Sequence, residues 1–394
     1  MGPYAGGGGT MTRVALVADL VEENWPSMDL VADMTLAGLR DEAIDVCLVR
    51  PTMVRRFSRQ GDSRSRRYTA DRFVNRLRDY PRALSGQGSA FDVFHIVDHS
   101  YSQLVHVLPP KRTVVTCHDL DTFRSVLEPK SEPRSWPFRM MTRRILRGLQ
   151  KAARVACDSE ATRAEIVRYG LIPPERLVVA PLGLHPVFLR EPELESQREI
   201  ERLLGAKHAG AVEILHVGST IPRKRLDVLL ETFERVRRAF PRARLLRVGG
   251  DFTPAQHELV HRLGLDGGVR VLPQLSWDQV AAVYRRADVL LLTSEREGFG
   301  LPVLEALACG TPVIAADIPA LRETGGSVAT YCAVGDVAAW VSAVVAQLRA
   351  REGGDPALPI ERQERIAHAR KFGWPDYAHR MVDIYREVLA ESGG

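Results

Sequence analysis

The feature that most limits how this 394-residue chain can fold is a repeated alternation of short apolar runs with longer helical patterns. In the first half the runs are RVALVADL (13–20), AIDVCLVR (43–50), DVFHIVDH (92–99), RTVVTCHD (112–119), ARVACDS (153–159) and LVVAP (177–181). The second half restarts with EILHVGS (213–219), ARLLRVGG (243–250), VRVLPQL (269–275), DVLLLTS (288–294) and TPVIAAD (311–317). Runs of this kind suit strands buried on both faces, and intervening segments such as RLDVLLETFERVRRAF supply crossover helices. The pattern predicts an α/β chain with two Rossmann-like, doubly wound parallel sheets. REPELESQREIERLLGAKHAGA is charged and poor in strand signals, which places the junction there. The predicted organisation is a flexible tract over 1–10, a first domain over 11–190, a linker over 191–210, a second domain over 211–372 and a closing helix over 373–394. Ligands of such sheets collect beyond the carboxyl ends of the strands, and two domains facing one another would frame a central cleft.

Composition narrows the setting. Hydrophobic residues are 45% and charged residues 26%, and no apolar run approaches the ~18 residues of a membrane span. The five cysteines form no CxxC pair, which predicts buried thiols in a reducing, cytoplasmic compartment. MGPYAGGGGT lacks the charged and apolar regions of a secretion signal, and Met11 is an alternative start. The net charge of +5 is concentrated early: residues 55–82 hold ten arginines against three aspartates, and residues 134–154 hold seven basic residues and no acid. One reading is a solvated helix face. The other is a surface for acidic lipid headgroups or a phosphorylated acceptor, hence peripheral contact with an anionic membrane. Nucleic acid is not expected, because aromatic residues do not alternate with the basic ones as a stacking platform requires.

The chemistry concentrates in SEREGFGLPVLEALACGTPVIAAD, residues 294–317. A buried strand exits into EREGFG, and LPVLEALACG reads as a helix with Pro302 in its first turn and Gly310 past its end. Gly298 and Gly300 admit close backbone approach at a helix N-terminus, which favours a phosphate. Glu297 lies before the helix and Glu305 about one turn inside it, too far apart for a tight dyad. Such acids suit separate hydroxyl-bearing ends of one ligand whose middle is anionic, the layout of a sugar nucleotide.

EGFGLPVLEALACGTPVIAADIPALRE, with its E-x7-E spacing, resembles the donor-binding segment of the retaining GT-B glycosyltransferases of family 4, and the likeness runs from Met11 to about Tyr385. The resemblance implies a GT-B fold and donor contacts from Gly298, Phe299, Gly300 and Leu301, with Glu297 on the sugar and Glu305 on the ribose. HVGSTIPRKRLDVLLETF resembles the family's phosphate-binding loop, so Gly218, Arg223 and Lys224 are implied at the departing diphosphate; a solvated turn is the plainer alternative for the basic run. The family often has arginine where this chain has Ser219. Gly249, Gly250 and the backbone of Val271 and Leu272 are implied along the nucleotide. His118 stands where the family carries a histidine facing the donor sugar, and Asp119 is its expected partner or a helix cap. On the acceptor side, Trp25, Ser27 and Met28 replace a glycine pair, and Ser27 is a candidate helix cap.

The implied reaction moves a hexose from a nucleotide-sugar to an acceptor hydroxyl with retained anomeric configuration. Arg223, Lys224 and the helix terminus supply charge, so no metal or other cofactor is expected. GDP-mannose and UDP-glucose are the expected donors by family frequency; the acceptor could be a glycolipid, a polysaccharide or a small metabolite. The alternatives are a nucleotide-sugar epimerase or hydrolase on the same fold, or an inactive basic module for membranes or polyanions.

Overall fold

A computed structural model describes residues 11–392 apart from 24, 43, 63, 64 and 209. The tract predicted over 1–10 lies outside the described residues. The chain divides into two compact units, Met1–Gly183 with Trp374–Gly394, and Leu184–Gly373.

The first unit is built on β1 (Thr12–Val17), β2 (Ile44–Val49), β3 (Val93–Ile96), β4 (Thr113–Cys117), β5 (Arg154–Cys157) and β6 (Leu177–Val179), in the order β2-β1-β3-β4-β5-β6. The second carries β7 (Glu213–Val217), β8 (Arg244–Val248), β9 (Val269–Val271), β10 (Val289–Leu292), β11 (Val313–Ala316) and β12 (Thr330–Cys332), in the order β12-β11-β10-β7-β8-β9. Neighbouring strands are parallel throughout. Val14 to Val17 and Val289 to Leu292 are buried without alternation, because helices cover both faces of each sheet. Two doubly wound parallel sheets are therefore what the sequence pattern predicts and what forms. β12 was not anticipated: it has three residues and Thr330 is exposed, too short and too polar to register as an apolar run.

Strand order places the sites. In each sheet the winding reverses once, between β1 and β3 in the first and between β7 and β10 in the second. The crevice for a ligand opens outside the carboxyl ends of strands at such a reversal.

The stretch predicted as a linker, 191–210, folds differently. It contains the helix Leu194–Leu204, in which Ser196, Ile200 and Leu204 recur every four residues and are buried, and it packs on the helix Trp277–Arg286 of the same unit. Gln279 Nε2 donates to Glu199 across that contact at 2.7 Å. The apolar stripe draws the segment into the second unit, so the division falls at 183/184.

The helix Trp374–Ser392 lies within the first unit against the helix Pro26–Arg40. A Cβ on Gly38 would stand 2.9 Å from Ala378 Cβ, so the glycine permits the close approach. Buried Tyr385 bonds His95 Nδ1 at 2.7 Å, and Arg154 pairs with Glu391.

Candidate functional site

The reversal between β7 and β10 joins two loops that are 73 residues apart in sequence at Lys224 and Glu297. The chain leaves β7 through Gly218, makes a 3-10 turn over Pro222–Lys224, and enters the helix Leu226–Ala239 through Arg225, whose φ of 48° is the one positive value at a non-glycine position among the described residues. The loop after β10 is tied to this turn by Glu295 N–H on the Arg223 carbonyl at 2.9 Å and by Thr293 Oγ1 on the Lys224 carbonyl at 2.9 Å. Glu297 is clamped between them. Lys224 Nζ donates to its Oε1 at 2.5 Å, Ser294 Oγ to the same oxygen at 2.7 Å, and Arg223 Nη1 to Oε2 at 3.0 Å and to the Arg296 carbonyl at 2.7 Å. Burial alone would raise the Glu297 carboxyl; Lys224 and Arg223 outweigh it and hold the group below the ordinary glutamate value, ionised at neutral pH. The structure thus joins three of the four residues singled out for catalysis into one cluster, in which two cations share one carboxylate.

Glu305 is separate from that cluster. It lies buried in the helix Leu301–Ala308, and Tyr284 from the neighbouring helix donates its hydroxyl to Oε2 at 2.6 Å. Burial pushes its pKa up to about 7 against the smaller pull of that hydrogen bond, so the group titrates near neutrality. Gly300 caps the helix with φ 96°, and a Cβ there would lie 2.4 Å from Leu321 Cδ2, so only glycine turns the chain at this point. Phe299 is buried beside Phe372, with its carbonyl accepting from Thr324. Leu301 opens the helix and Gly298 precedes it in the loop.

Gly249 follows β8 with φ 117°, and a Cβ there would meet the Gly218 carbonyl oxygen at 2.2 Å; at Gly250, φ 99°, nothing stands within 4 Å. Gly249→Ala is therefore expected to destabilise the chain by about 2 kcal/mol more than Gly250→Ala, since both suffer backbone strain but only the first also collides with backbone. Urea unfolding of the two variants checks this; equal losses would mean that the close approach has no energetic weight. The Leu272 N–H is committed to the Arg247 carbonyl at 2.8 Å, while Val271 stands in register with Arg247 on β9, the edge strand of this sheet.

In the first unit, His118 follows β4 and is fully engaged: Nδ1 meets Asp158 Oδ2 at 2.6 Å and Nε2 meets the Val97 carbonyl at 2.8 Å. Burial opposes the charged ring, yet Asp158, Asp98 and the Val97 carbonyl carry its pKa to about 10. The ring is an imidazolium that holds its proton through the neutral range. Its partner is Asp158, not Asp119, because the register of β4 with β5 brings the end of β5 alongside. Asp119 Oδ1 instead accepts at 2.9 Å from the N–H of Asp121, the first residue of the 3-10 turn Asp121–Phe123, whose N-cap position is Leu120. Ser27 is not the helix cap: Pro26, with its fixed φ, takes the first helical position, which puts Trp25 at the cap and Ser27 in the first turn. Trp25 is 52% exposed and Met28 partly buried.

Sequence reasoning missed Ser294, Tyr284, Asp158 and Arg247 as neighbours of these groups. Only Arg247 left a local signal, a charge inside the apolar run ARLLRVGG.

Residues 211–350 match the family described as "Glycosyl transferases group 1", and residues 28–187 match the one described as "Glycosyltransferase Family 4". The chain is 25% identical over 313 residues to O-antigen chain mannosyltransferase B of Escherichia coli, covering 77% of this chain and 78% of that protein. It is 30% identical over 243 residues to D-inositol 3-phosphate glycosyltransferase of Segniliparus rotundus, covering 60% of this chain and about half, 52%, of that protein. Among solved structures, sucrose-phosphate synthase from Thermosynechococcus elongatus superposes with a TM-score of 0.70 at 21% identity, covering 96% of this chain and all of that one. HepE of Anabaena, solved in complex with UDP-glucose, gives 0.68 at 15% identity over 95% of this chain and 99% of that one.

Proposed function

Because the chain belongs to the group 1, family 4 glycosyltransferases, with the GT-B architecture of two Rossmann-like sheets, we propose that it transfers a hexose from a nucleotide-sugar to an acceptor hydroxyl with retention of anomeric configuration. The observation that carries this reading is the Lys224–Glu297–Arg223 cluster at the winding reversal of the second sheet. A donor pyrophosphate entering there meets two cations and the Gly300 helix terminus, while Glu297 is left free to accept from sugar hydroxyls as its cations turn to phosphate. The bond from the anomeric carbon to the phosphate oxygen breaks as charge builds on the leaving diphosphate, and Lys224 and Arg223 stabilise that charge. The acceptor oxygen bonds the same face of the sugar and passes its proton to the leaving phosphate. His118 serves as a fixed cation in this scheme and not as a base, since both ring nitrogens already hold protein acceptors. Glu305 takes the ribose hydroxyls, in exchange with or beside Tyr284.

GDP-mannose and UDP-glucose are the donors to test first, the one suggested by the mannosyltransferase relative and the other by the HepE complex. Incubation with each, following nucleoside diphosphate release with and without candidate glycolipid, polysaccharide and small polyol acceptors, tests the reading. Acceptor-dependent release with an unchanged anomeric centre by NMR supports it. Release that ignores the acceptor would identify a hydrolase, an isomerised sugar an epimerase, and no binding at all a module without activity.

A separable part of this proposal sets one face of the first unit against an anionic membrane. No helix among the described residues is long and apolar enough to cross one. The helix Trp136–Leu149 buries Ile145 and Leu149 and leaves Trp136 70% exposed, next to a groove of about 800 Å³ lined by Phe73, Leu77, Met140, Arg144 and Lys151. Aromatic and basic side chains on one face suit an interface of acyl chains and acidic headgroups. Replacing Arg139, Arg143, Arg144 and Arg147 together by Gln is expected to weaken co-sedimentation with phosphatidylglycerol vesicles by at least about tenfold, at ~1 kcal/mol for each arginine that lies near the surface. Unchanged binding would remove the membrane from the reading and leave the transferase intact.

A further inference from the structure

Arg247 lies in β8 with no exposed surface, in a strand otherwise made largely of leucine and valine. Register sets it beside His216 of β7. The guanidinium extends toward the carboxyl end of the sheet, where Nη1 and Nη2 donate to the Gly218 carbonyl at 3.2 and 3.0 Å. Nη1 also stands 3.4 Å from His216 Nδ1, and the guanidinium carbon lies 5.2 Å from the centre of the Phe252 ring. Nε has no acceptor among the described residues, and no carboxylate there comes within ion-pair distance. Burial lowers the Arg247 pKa to about 10, with Asp251 countering from a distance, so the side chain stays charged at neutral pH. His216 is driven well below its ordinary value by burial and then by Arg247 and Lys224, so it is neutral and adds no charge.

A buried cation without an acid partner costs the folded state energy, and an apolar residue of similar shape is often the more stable occupant. What the arginine achieves is local to the loop. With the Gly218 carbonyl held toward the core, the Gly218–Ser219 peptide plane is fixed. In a trans peptide the N–H points opposite to the C=O, so the Ser219 N–H is turned away from the guanidinium. Gly249 lies so close to the same carbonyl that a Cβ there would stand 2.2 Å from its oxygen. Ser219 itself carries no charge, so the cations acting here are Arg247 from beneath and Lys224 from the turn.

We propose that Arg247 is a positioning residue of the donor site: it locks the Gly218–Ser219 peptide with its amide outward and gives the loop a buried, unneutralised positive charge that a donor pyrophosphate completes. The inference rests on the donor-site reading above and deepens it. The experiment compares the full chain as wild type, Arg247→Met and Arg247→Lys, titrated calorimetrically with UDP, GDP, uridine and guanosine, and unfolded thermally without ligand. Arg247→Met is expected to bind the preferred diphosphate about tenfold more weakly, to bind the nucleoside as wild type does, and to unfold at the same temperature or higher. Arg247→Lys, which keeps the charge but not the planar fork, is expected to fall between the two. A purely structural arginine would give a lower unfolding temperature with diphosphate and nucleoside affinity falling together. That result, or undiminished diphosphate affinity in Arg247→Met, overturns the inference, and Arg247→Lys no better than Arg247→Met overturns the part assigned to charge. A wild type that binds neither diphosphate overturns the donor-site reading itself, and the inference with it.

Discussion

Glu297→Gln is expected to slow sugar transfer by about two to three orders of magnitude while leaving affinity for the nucleoside diphosphate equal to or above that of wild type. The two halves of this expectation have different origins. Transfer falls because the amide keeps the shape but loses the negative charge that orients the sugar hydroxyls and accepts from Lys224, Ser294 and Arg223. Diphosphate affinity holds because Lys224 and Arg223, each mostly buried against Glu297, lose the carboxylate that competes with phosphate for them. Glutamine is preferred to alanine, since truncation would leave both cations buried beside a void, a change that commonly costs about 3–5 kcal/mol in stability alone. Steady-state kinetics with the preferred donor, together with calorimetric titration of the diphosphate, read the two effects separately. If kcat and affinity fell in equal proportion, Glu297 would be holding the loop together and not the sugar.

The second large effect is a pH dependence that Glu305→Gln should erase. The Glu305 pKa is raised from 4.5 to about 7 in the folded chain, chiefly by burial. The folded state therefore holds a proton that the unfolded chain has released across the window from about 4.5 to 7, and stability falls as pH rises through it. Below the window both states are protonated and nothing is lost. Above it the buried carboxylate carries a net cost, desolvation less the Tyr284 hydrogen bond, of about 3 kcal/mol at ~1.4 kcal/mol per pKa unit. Glutamine mimics the neutral acid and still accepts from the Tyr284 hydroxyl, so the variant should match wild type at pH 4 and exceed it by about 3 kcal/mol at pH 8. Urea unfolding across that range measures the difference. A constant offset at all pH values would show that Glu305 does not titrate in the window. The same variant should bind nucleotide less well, because a ribose hydroxyl finds a weaker acceptor.

The sequence by itself determined the class of fold and the residue types gathered at the second unit's candidate site. Eleven apolar runs were legible because burial on both faces of a parallel sheet leaves an uninterrupted hydrophobic signature within five to eight residues, and the helix start at Gly300–Pro302 was legible because its capping is local. EGFGLPVLEA likewise carried its own context. What the tertiary structure decided is who meets whom. The pairing of Lys224 and Arg223 with Glu297 depends on β10 lying beside β7, a strand order that no local pattern encodes. The exchange of Asp119 for Asp158 at His118 depends on the register of β4 with β5, and the supposed linker became a packed helix once the Trp277–Arg286 helix offered its apolar stripe a surface. Protonation followed the same rule. Glu297 and Glu305 are identical in sequence terms, yet one is held ionised by two cations and the other titrates near neutrality beside a tyrosine, because the balance of desolvation against partner charge is set by neighbours distant along the chain.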